Sequence, residues 1–153
     1  MIDIEVEDAA WTAAAPDAVE LVRRAAEAAL GSSLPRVAGE EPNITILLTD
    51  DASVRELNAR FRDQDAATNV LSFPAPPNPE DHLGDVAVAF SVCAREAAQQ
   101  GKPLAHHLQH LTVHGVLHLL GYDHIGDDEA EAMEGLERAV LAGLGVPDPY
   151  AAG

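Results

Sequence analysis

The sequence is poor in cysteine, aromatic residues and basic residues, and it contains no long apolar segment. It has one cysteine, Cys93, among 153 residues, so it cannot carry an internal disulfide framework, which fits a reducing cytoplasm. No run of about 18 apolar residues is present, which argues against a membrane-spanning helix. The opening residues MIDIEVEDAAW are acidic and lack the basic start and apolar stretch of a signal peptide. We therefore expect a cytoplasmic protein without a membrane partner.

Acidic residues greatly outnumber basic ones. Nine Lys and Arg stand against 26 Asp and Glu, which gives a formal net charge of −17. A field of this sign repels nucleic acid, so an RNA or DNA partner would need a local basic patch or a metal ion. Taken alone, the acidity is most simply explained as a means of staying soluble.

The apolar content is sufficient for a core, because 47% of the residues are hydrophobic. The length predicts a single domain over residues 1–153. Alternation and apolar runs predict four strands, at 2–7, 43–49, 69–74 and 85–90. Helical periodicity and end signals predict five helices, which begin at Pro16–Asp17, at Asp50 or Asp51, at a cap on Ser91, at Pro103 and at Asp127–Asp128.

The predicted order βαβαββααα is typical of an α+β fold. We expect a small mixed four-stranded sheet packed with about five or six helices, and a metal site at a helix end. In the last helix, apolar residues at helical spacing predict the inward face: Met133, Leu136, Val140 and Leu144.

Four histidines recur every fourth residue on one predicted helix, at positions 106, 110, 114 and 118. A step of four residues turns the helix by about 40° and climbs about 6 Å, so His114 and His118 can bind the same ion. His110 and His118 are about 12 Å apart along the axis, too far to share a zinc ion. We expect His106, His107 and His110 to lie around the site, to face RNA or simply to be exposed.

A third ligand must come from beyond the helix. Gly121 stands where the helix should end, and glycine tolerates the left-handed conformation that reverses the chain. The following residues can then bring His124 back over the helix end. Three histidines that leave one coordination position open are typical of catalytic zinc, although nickel, copper or iron would accept the same ligands. The spacing therefore predicts one Zn²⁺ per chain on His114, His118 and His124.

The spacing H-x-x-x-H-x-x-G-x-x-H also occurs in the metzincin zinc proteases. In those enzymes the residue after the first histidine is the glutamate that acts as general base, whereas this chain has Gly115 there. Without that glutamate, a peptidase would lack the group that deprotonates its water. A different zinc hydrolase, such as a peptidase, remains an alternative that the glycine weakens.

Several segments together resemble the YbeY endoribonucleases, a family of bacterial rRNA maturation factors. The most specific is HGVLHLLGYDH at 114–124, followed by DDEAEAMEGLE at 127–137. LNARFRDQDAATNVLSFP at 57–74, LGDVAVAF at 83–90 and LGVPDPY at 144–150 are similar to further blocks of the family, in the same order. The resemblance extends over roughly residues 40–150.

The resemblance implies a function and a set of residues. Family members are metal-dependent endoribonucleases specific for single strands, and they act in maturation of the 3′ end of 16S rRNA and in ribosome quality control. His114, His118 and His124 match the family's zinc ligands, and Arg62 matches its required arginine. Single-stranded rRNA is thus the expected substrate and a small ribosomal subunit or a ribosomal protein the expected partner, with no role for DNA.

The chemistry of two further residues leaves alternatives open. Arg62 can contact a phosphate through two hydrogen bonds, but it is equally explained as a helix-end arginine paired with Asp63 or Asp65. Asp85, at the start of the strand predicted at 85–90, is a candidate for orienting a catalytic water, or simply a turn residue. A non-enzymatic ribosome-associated factor with a structural zinc also remains open, if a fourth ligand closes the site.

Overall fold

The computed structural model describes residues 2–31, 43–62, 68–76, 78–79, 81–122 and 126–150, without the side chains of residues 61 and 62. The strands in this part of the chain are β1 (Ile2–Val6), β2 (Asn43–Thr49), β3 (Val70–Pro74) and β4 (His82–Ala89). The helices are α1 (Ala10–Ala14), α2 (Ala18–Gly31), α3 (Asp51–Arg62), α4 (Phe90–Gln100), α5 (Leu104–Leu119) and α6 (Asp127–Gly143).

The strands form one mixed sheet in the order β1-β2-β4-β3. β1 and β4 both run parallel to β2, whereas β3 runs antiparallel to β4. The register places Ile46 between Ile4 on β1 and Val86 on β4. The predicted α+β fold with a small mixed sheet is therefore confirmed.

The two faces of the sheet are covered by different helices, because successive strand residues point to opposite sides. Val86 and Val88 belong to the large core cluster with buried residues of α2 and α5. Ala87 and Ala89 belong to a smaller cluster with Val54 of α3 and with residues of α4. Helix α5 is the central helix, since it packs against α2, α4, α6 and both β3 and β4.

A glycine allows α5 to lie close to the sheet. A Cβ atom at Gly115 would stand 2.7 Å from Cγ1 of Val86 and 3.3 Å from Oγ of Ser72. The Ser72 hydroxyl in turn donates a hydrogen bond to the Gly115 carbonyl over 3.0 Å. Position 115 therefore faces β3 and β4, and its lack of a side chain sets the distance between helix and sheet.

Three details differ from the sequence predictions. Helix α1 was not predicted, because it has only five residues and buries one of them, Trp11. Strand β4 begins at His82, three residues earlier than predicted, through Gly84, which adopts a positive φ of 144°. Ser91 does not cap α4; its helix begins at Phe90, and Asp51 of α3 accepts the hydrogen bond from the backbone N–H of Val92 instead.

Candidate active site

Four of the five histidines of α5 lie on the least buried side of that helix. His106, His110, His114 and His118 are all partly exposed, whereas most other residues from 107 to 119 are buried. The ring centroids of His114 and His118 are 4.7 Å apart, and those of His110 and His114 are 6.4 Å apart. His114 and His118 are thus the closer pair, although both pairs have the same spacing of four residues.

Helix α5 ends at the position that Gly121 indicated in the sequence. Its last helical residue is Leu119, and Gly121 has a positive φ of 103°. The N–H of Tyr122 donates to the Leu117 carbonyl and that of Gly121 donates to the His118 carbonyl, the pair of bonds that defines a Schellman motif. The chain therefore changes direction at Gly121, three residues after His118.

His124 lies outside the described residues, so the three-histidine site stays a prediction. Among the residues that the structure does describe, no group of three or more His, Cys, Asp or Glu side chains is placed to hold a metal ion. The described pair His114 and His118 needs a further ligand, and the sequence offers His124 for that position.

A buried carboxylate of α6 is hydrogen-bonded to His114. Glu137 of α6 is fully buried, and its Oε1 lies 2.6 Å from Nδ1 of His114 and 3.6 Å from Nε2 of His110. Its Oε2 accepts a hydrogen bond of 2.5 Å from the hydroxyl of Tyr150. One carboxylate therefore connects the histidine side of α5 to the segment that follows α6.

These hydrogen bonds keep Glu137 ionised. Burial raises the pKa of Glu137, but the bonds from His110, His114 and Tyr150 outweigh burial and bring the pKa to about 2. Burial, together with the Glu137 carboxylate, raises the pKa of Tyr150 well above its usual value, so its hydroxyl keeps its proton. An ionised carboxylate only accepts hydrogen bonds, so the hydrogen of a neutral His114 imidazole is assigned to Nδ1. Nε2 then carries the lone pair with which a neutral imidazole binds a metal.

The role of Glu137 was not predicted from the sequence, although its position on α6 indicates one. The predicted inward face of α6 contained Met133, Leu136, Val140 and Leu144. The structure buries Met133 and Val140, leaves Leu136 and Leu144 partly buried, and adds Glu137 and Leu141 to the buried set. Glu137 follows Met133 by four residues and precedes Leu141 by four, so it lies on an apolar stripe. A glutamate is almost never fully buried without a partner, and its place on that stripe predicts one.

Asp85 does not lie on the side of the sheet that faces the histidines of α5. It lies in the middle of β4 and not at its start, because the strand begins at His82. Its Oδ1 is 3.0 Å from Nε2 of His82. Asp85 shares the strand face of Ala87, which packs toward α3, whereas Val86 packs toward α5. Strand alternation therefore directs the Asp85 side chain away from the helix that carries His114 and His118.

Arg62 is the last residue of α3, and its side chain is outside the described residues. Its contact with phosphate stays a prediction.

Among the described residues, no helix combines the length and apolarity needed to span a bilayer.

Known proteins resemble this chain over nearly its whole length. A family model described as "Endoribonuclease YbeY" matches residues 3–145. Endoribonuclease YbeY of Azorhizobium caulinodans is 54% identical over 154 residues, which cover 98% of this chain and 96% of that protein. Endoribonuclease YbeY of Rhodopseudomonas palustris strain BisB18 is 53% identical over 148 residues, covering 92% and 86%.

The fold has a solved counterpart. The solution structure of TM1509 from Thermotoga maritima superimposes with a TM-score of 0.59 and covers 99% of this chain and 100% of that one. The two sequences are 23% identical. This similarity supports the fold alone.

Proposed function

This chain belongs to the YbeY endoribonuclease family, and we infer that it cleaves phosphodiester bonds of RNA in the processing of rRNA. The observation that carries this conclusion is the family match over residues 3–145, with relatives about half identical over most of the chain. Within this activity, the proposed substrate is single-stranded RNA at the 3′ end of 16S rRNA, and the proposed process includes ribosome quality control.

The proposed cofactor is one zinc ion held by His114, His118 and His124. The described residues fit such an ion, because His114 and His118 are adjacent imidazoles and Glu137 holds His114 in the tautomer that binds metals through Nε2. When bound, zinc would polarise a phosphate oxygen and lower the pKa of a bound water. Three protein ligands would leave the fourth position available for substrate or water.

The chain's own residues would bind and orient the substrate. We propose that the guanidinium of Arg62 contacts the phosphate and stabilises the charge that develops on it during cleavage. Glu137, held in turn by Tyr150, would fix the ring of His114 through Nδ1 and leave Nε2 to the metal. We assign no step to Asp85, since its described partner is His82 and its strand face packs toward α3.

A ribosomal partner would address the charge of the protein. With a net charge of −17, the chain repels free RNA over most of its surface. Binding to a small ribosomal subunit or a ribosomal protein, in the cytoplasm, would raise the local concentration of one RNA segment and offset this repulsion.

Cleavage of defined RNAs tests the proposal. Purified protein with measured zinc content should cut a single-stranded RNA containing the 16S 3′ region and leave a duplex and a control peptide intact. His114→Ala should abolish this cleavage. Adding small ribosomal subunits should stimulate cleavage of the rRNA segment more than cleavage of an unrelated single strand. Equal stimulation of both RNAs would contradict the proposed ribosomal partner. If no RNA is cleaved, the proposed nuclease activity is wrong.

The peptidase alternative is disfavoured by the position of Gly115. A glutamate there would begin with a Cβ atom 2.7 Å from Cγ1 of Val86 and would face the sheet, so it would have to displace the helix. The control peptide in the experiment above tests this alternative directly, because a peptidase would cut it. A purely structural zinc would leave both the RNA and the peptide uncut.

A further inference from the structure

A recess, which we call the α4–α5 cleft, lies next to the histidine side of α5. It has a volume of about 810 Å³ and lies between the end of α4, the first half of α5 and residues 146–150. This volume is within the range of small-molecule sites, about 300–1,000 Å³. Its walls combine apolar side chains with hydrogen-bonding groups, which belong to Asn69, Glu96, Gln100, His106, His107 and Tyr150.

The charges of the cleft suit an uncharged ligand group better than a phosphate. Lys102 is the one Lys or Arg among the described lining residues, and its Nζ donates a hydrogen bond to the Pro149 carbonyl over 3.1 Å. Two carboxylates, of Glu96 and Asp148, also line the cleft. Asp148 is paired with Arg138 over 3.2 Å, so Glu96 is the carboxylate whose charge a ligand meets. It would repel a phosphate and attract the N–H donors of a neutral ring.

The Glu96 carboxylate is held in place at one side of this cleft. Its Oε1 lies 3.0 Å from Nδ2 of Asn69, which donates to it, and 3.0 Å from Nε2 of His107. Burial lowers the pKa of His107, so the imidazole is neutral and donates through Nε2. The Glu96 side chain is 30% exposed. Glu96 therefore presents a fixed, acceptor-only group to the cleft.

The cleft adjoins the histidine pair through Tyr150 and His110, which both line it. The hydroxyl of Tyr150 donates to Glu137, and the same carboxylate accepts from Nδ1 of His114. Tyr150 is thus two hydrogen bonds away from His114. The ring centroid of His110, which lines the cleft, is 6.4 Å from that of His114, so the cleft and the histidine pair are neighbours on one side of α5.

We propose that the α4–α5 cleft binds one base of single-stranded RNA beside the cleaved bond and that Glu96 selects bases carrying an exocyclic amine. The proposal rests on the proposed endoribonuclease function. Adenine, cytosine and guanine present such an amine, which donates a hydrogen bond to a carboxylate. Uracil presents a carbonyl oxygen in its place, and its one donor, the ring N3–H, lies between two carbonyl oxygens that a carboxylate repels. Single-stranded RNA is commonly read in this way, by hydrogen bonds to the base edge and by contact of the ring with aromatic side chains. Tyr150, at 39% exposed, offers such a ring, and the guanidinium of Arg138 lies over it with Cζ 5.2 Å from the ring centroid.

Nucleoside binding tests the cleft separately from cleavage. Adenosine, cytidine and uridine contain no phosphodiester bond, so their binding does not depend on nuclease activity. In NMR titrations, adenosine and cytidine should shift the backbone amide signals of residues 96–107 and 146–150. Uridine should bind about tenfold more weakly, because it loses one hydrogen bond to a charged group. Equal binding of uridine, or shifts confined to other residues, would overturn the proposal even if the protein cleaves RNA.

Two variants identify the residue responsible. Glu96→Gln replaces one acceptor oxygen by a donor, so it should reduce the preference for cytidine over uridine to about twofold or less. On RNA, it should raise KM for cytosine-rich strands more than it lowers kcat, and so narrow the difference in KM between cytosine-rich and uracil-only strands. Gln100→Ala should weaken the binding of all three nucleosides. The matched variant Gln99→Ala, outside the cleft, should leave their binding unchanged. A Glu96→Gln protein with the original preference would show that Glu96 does not select the base.

Discussion

The imidazole of His114 and the buried carboxylate of Glu137 are joined by a hydrogen bond of 2.6 Å between Nδ1 and Oε1. The bond crosses from α5 to α6 and fixes both the tautomer and the orientation of the ring. Carboxylates that hold a metal-binding histidine in this way commonly change metal affinity by about 10- to 100-fold when they are altered.

We therefore expect Glu137→Gln to weaken zinc binding by about 10- to 100-fold. An amide presents a donor as well as an acceptor, so it cannot satisfy the histidines and Tyr150 together. Competition with a chromogenic chelator measures the affinity, and Glu131→Gln on the exposed side of α6 is the control. Tyr150→Phe should have a smaller effect on zinc affinity, because the hydrogen bond between Glu137 and His114 remains. A folded Glu137→Gln protein with unchanged zinc affinity would contradict this role.

The three-histidine site makes its own prediction about metal content. Purified protein should contain about one zinc per chain, and His114→Ala, His118→Ala and His124→Ala should each remove most of it. His106→Ala, two turns away on the same side of α5, should keep the metal. Elemental analysis after dialysis measures all four variants. Full occupancy in His124→Ala would show that the third ligand is another residue.

The fold was largely readable from local patterns. Strand β2 was predicted with its observed bounds because its apolar run is bounded by polar residues, and α5 and α6 begin within a residue of their predicted starts. The Ser91 cap was wrong because the oxygen that serves α4 comes from Asp51, which is distant in sequence. Local patterns cannot reveal partners that only the folded chain brings together.

The candidate site divides in the same way. The closeness of His114 and His118 follows from helix geometry, and the turn at Gly121 follows from its conformational freedom. The role of Glu137 depends on how α6 packs against α5, which no spacing within one helix specifies. The direction of Asp85 likewise depends on where β4 begins and which helix covers each face of the sheet.

Gly115 should be essential for packing. In Gly115→Ala the new methyl group would approach Cγ1 of Val86 to 2.7 Å, so the helix or the valine must shift. Overpacking of this kind costs about 1–3 kcal/mol of unfolding free energy. Gly135→Ala is the matched control in α6, where nothing lies within 4 Å of the added Cβ. That change should stabilise the protein by up to about 1 kcal/mol through helix propensity, and urea denaturation compares the two. A Gly115→Ala protein as stable as the wild type would show that the contact is easily relieved.

Asp50 should make the stability of α3 depend on pH. Its Oδ1 accepts the backbone N–H of Ser53 over 2.6 Å, and this bond lowers the pKa of Asp50 below its ordinary 3.8. A lowered pKa in the folded state stabilises the protein above pH 3.8, and that contribution is lost as the pH falls through the folded value.

Asp50→Asn keeps a capping oxygen but cannot titrate, so its unfolding free energy should fall less than that of the wild type below pH 3.8. Asp50→Ala should lose about 1 kcal/mol at neutral pH, because the cap itself is gone. Denaturation of the three proteins at several pH values gives the comparison. Parallel pH profiles for wild type and Asp50→Asn would rule out a contribution from this carboxylate.

Arg62 allows chemistry to be separated from metal binding. We expect Arg62→Ala to keep its fold and its zinc, because the arginine is proposed to contact phosphate and not metal. Its rate of RNA cleavage should fall by about 10²- to 10³-fold, the usual loss when a group that stabilises developing charge is removed. Arg62→Lys should recover little, since an ammonium cannot reproduce the planar two-bond contact.

The control for Arg62 lies on the same helix. Arg60 is exposed and 3.7 Å from Glu56, a surface pair that contributes little, so Arg60→Ala should cleave at nearly the wild-type rate. Single-turnover cleavage with saturating enzyme compares the variants without interference from product release. If Arg62→Ala and Arg60→Ala both cleave like the wild type, Arg62 is only a charge at the end of α3. If both are impaired equally, the loss reflects the overall charge of α3, because only a contact specific to residue 62 distinguishes the two arginines.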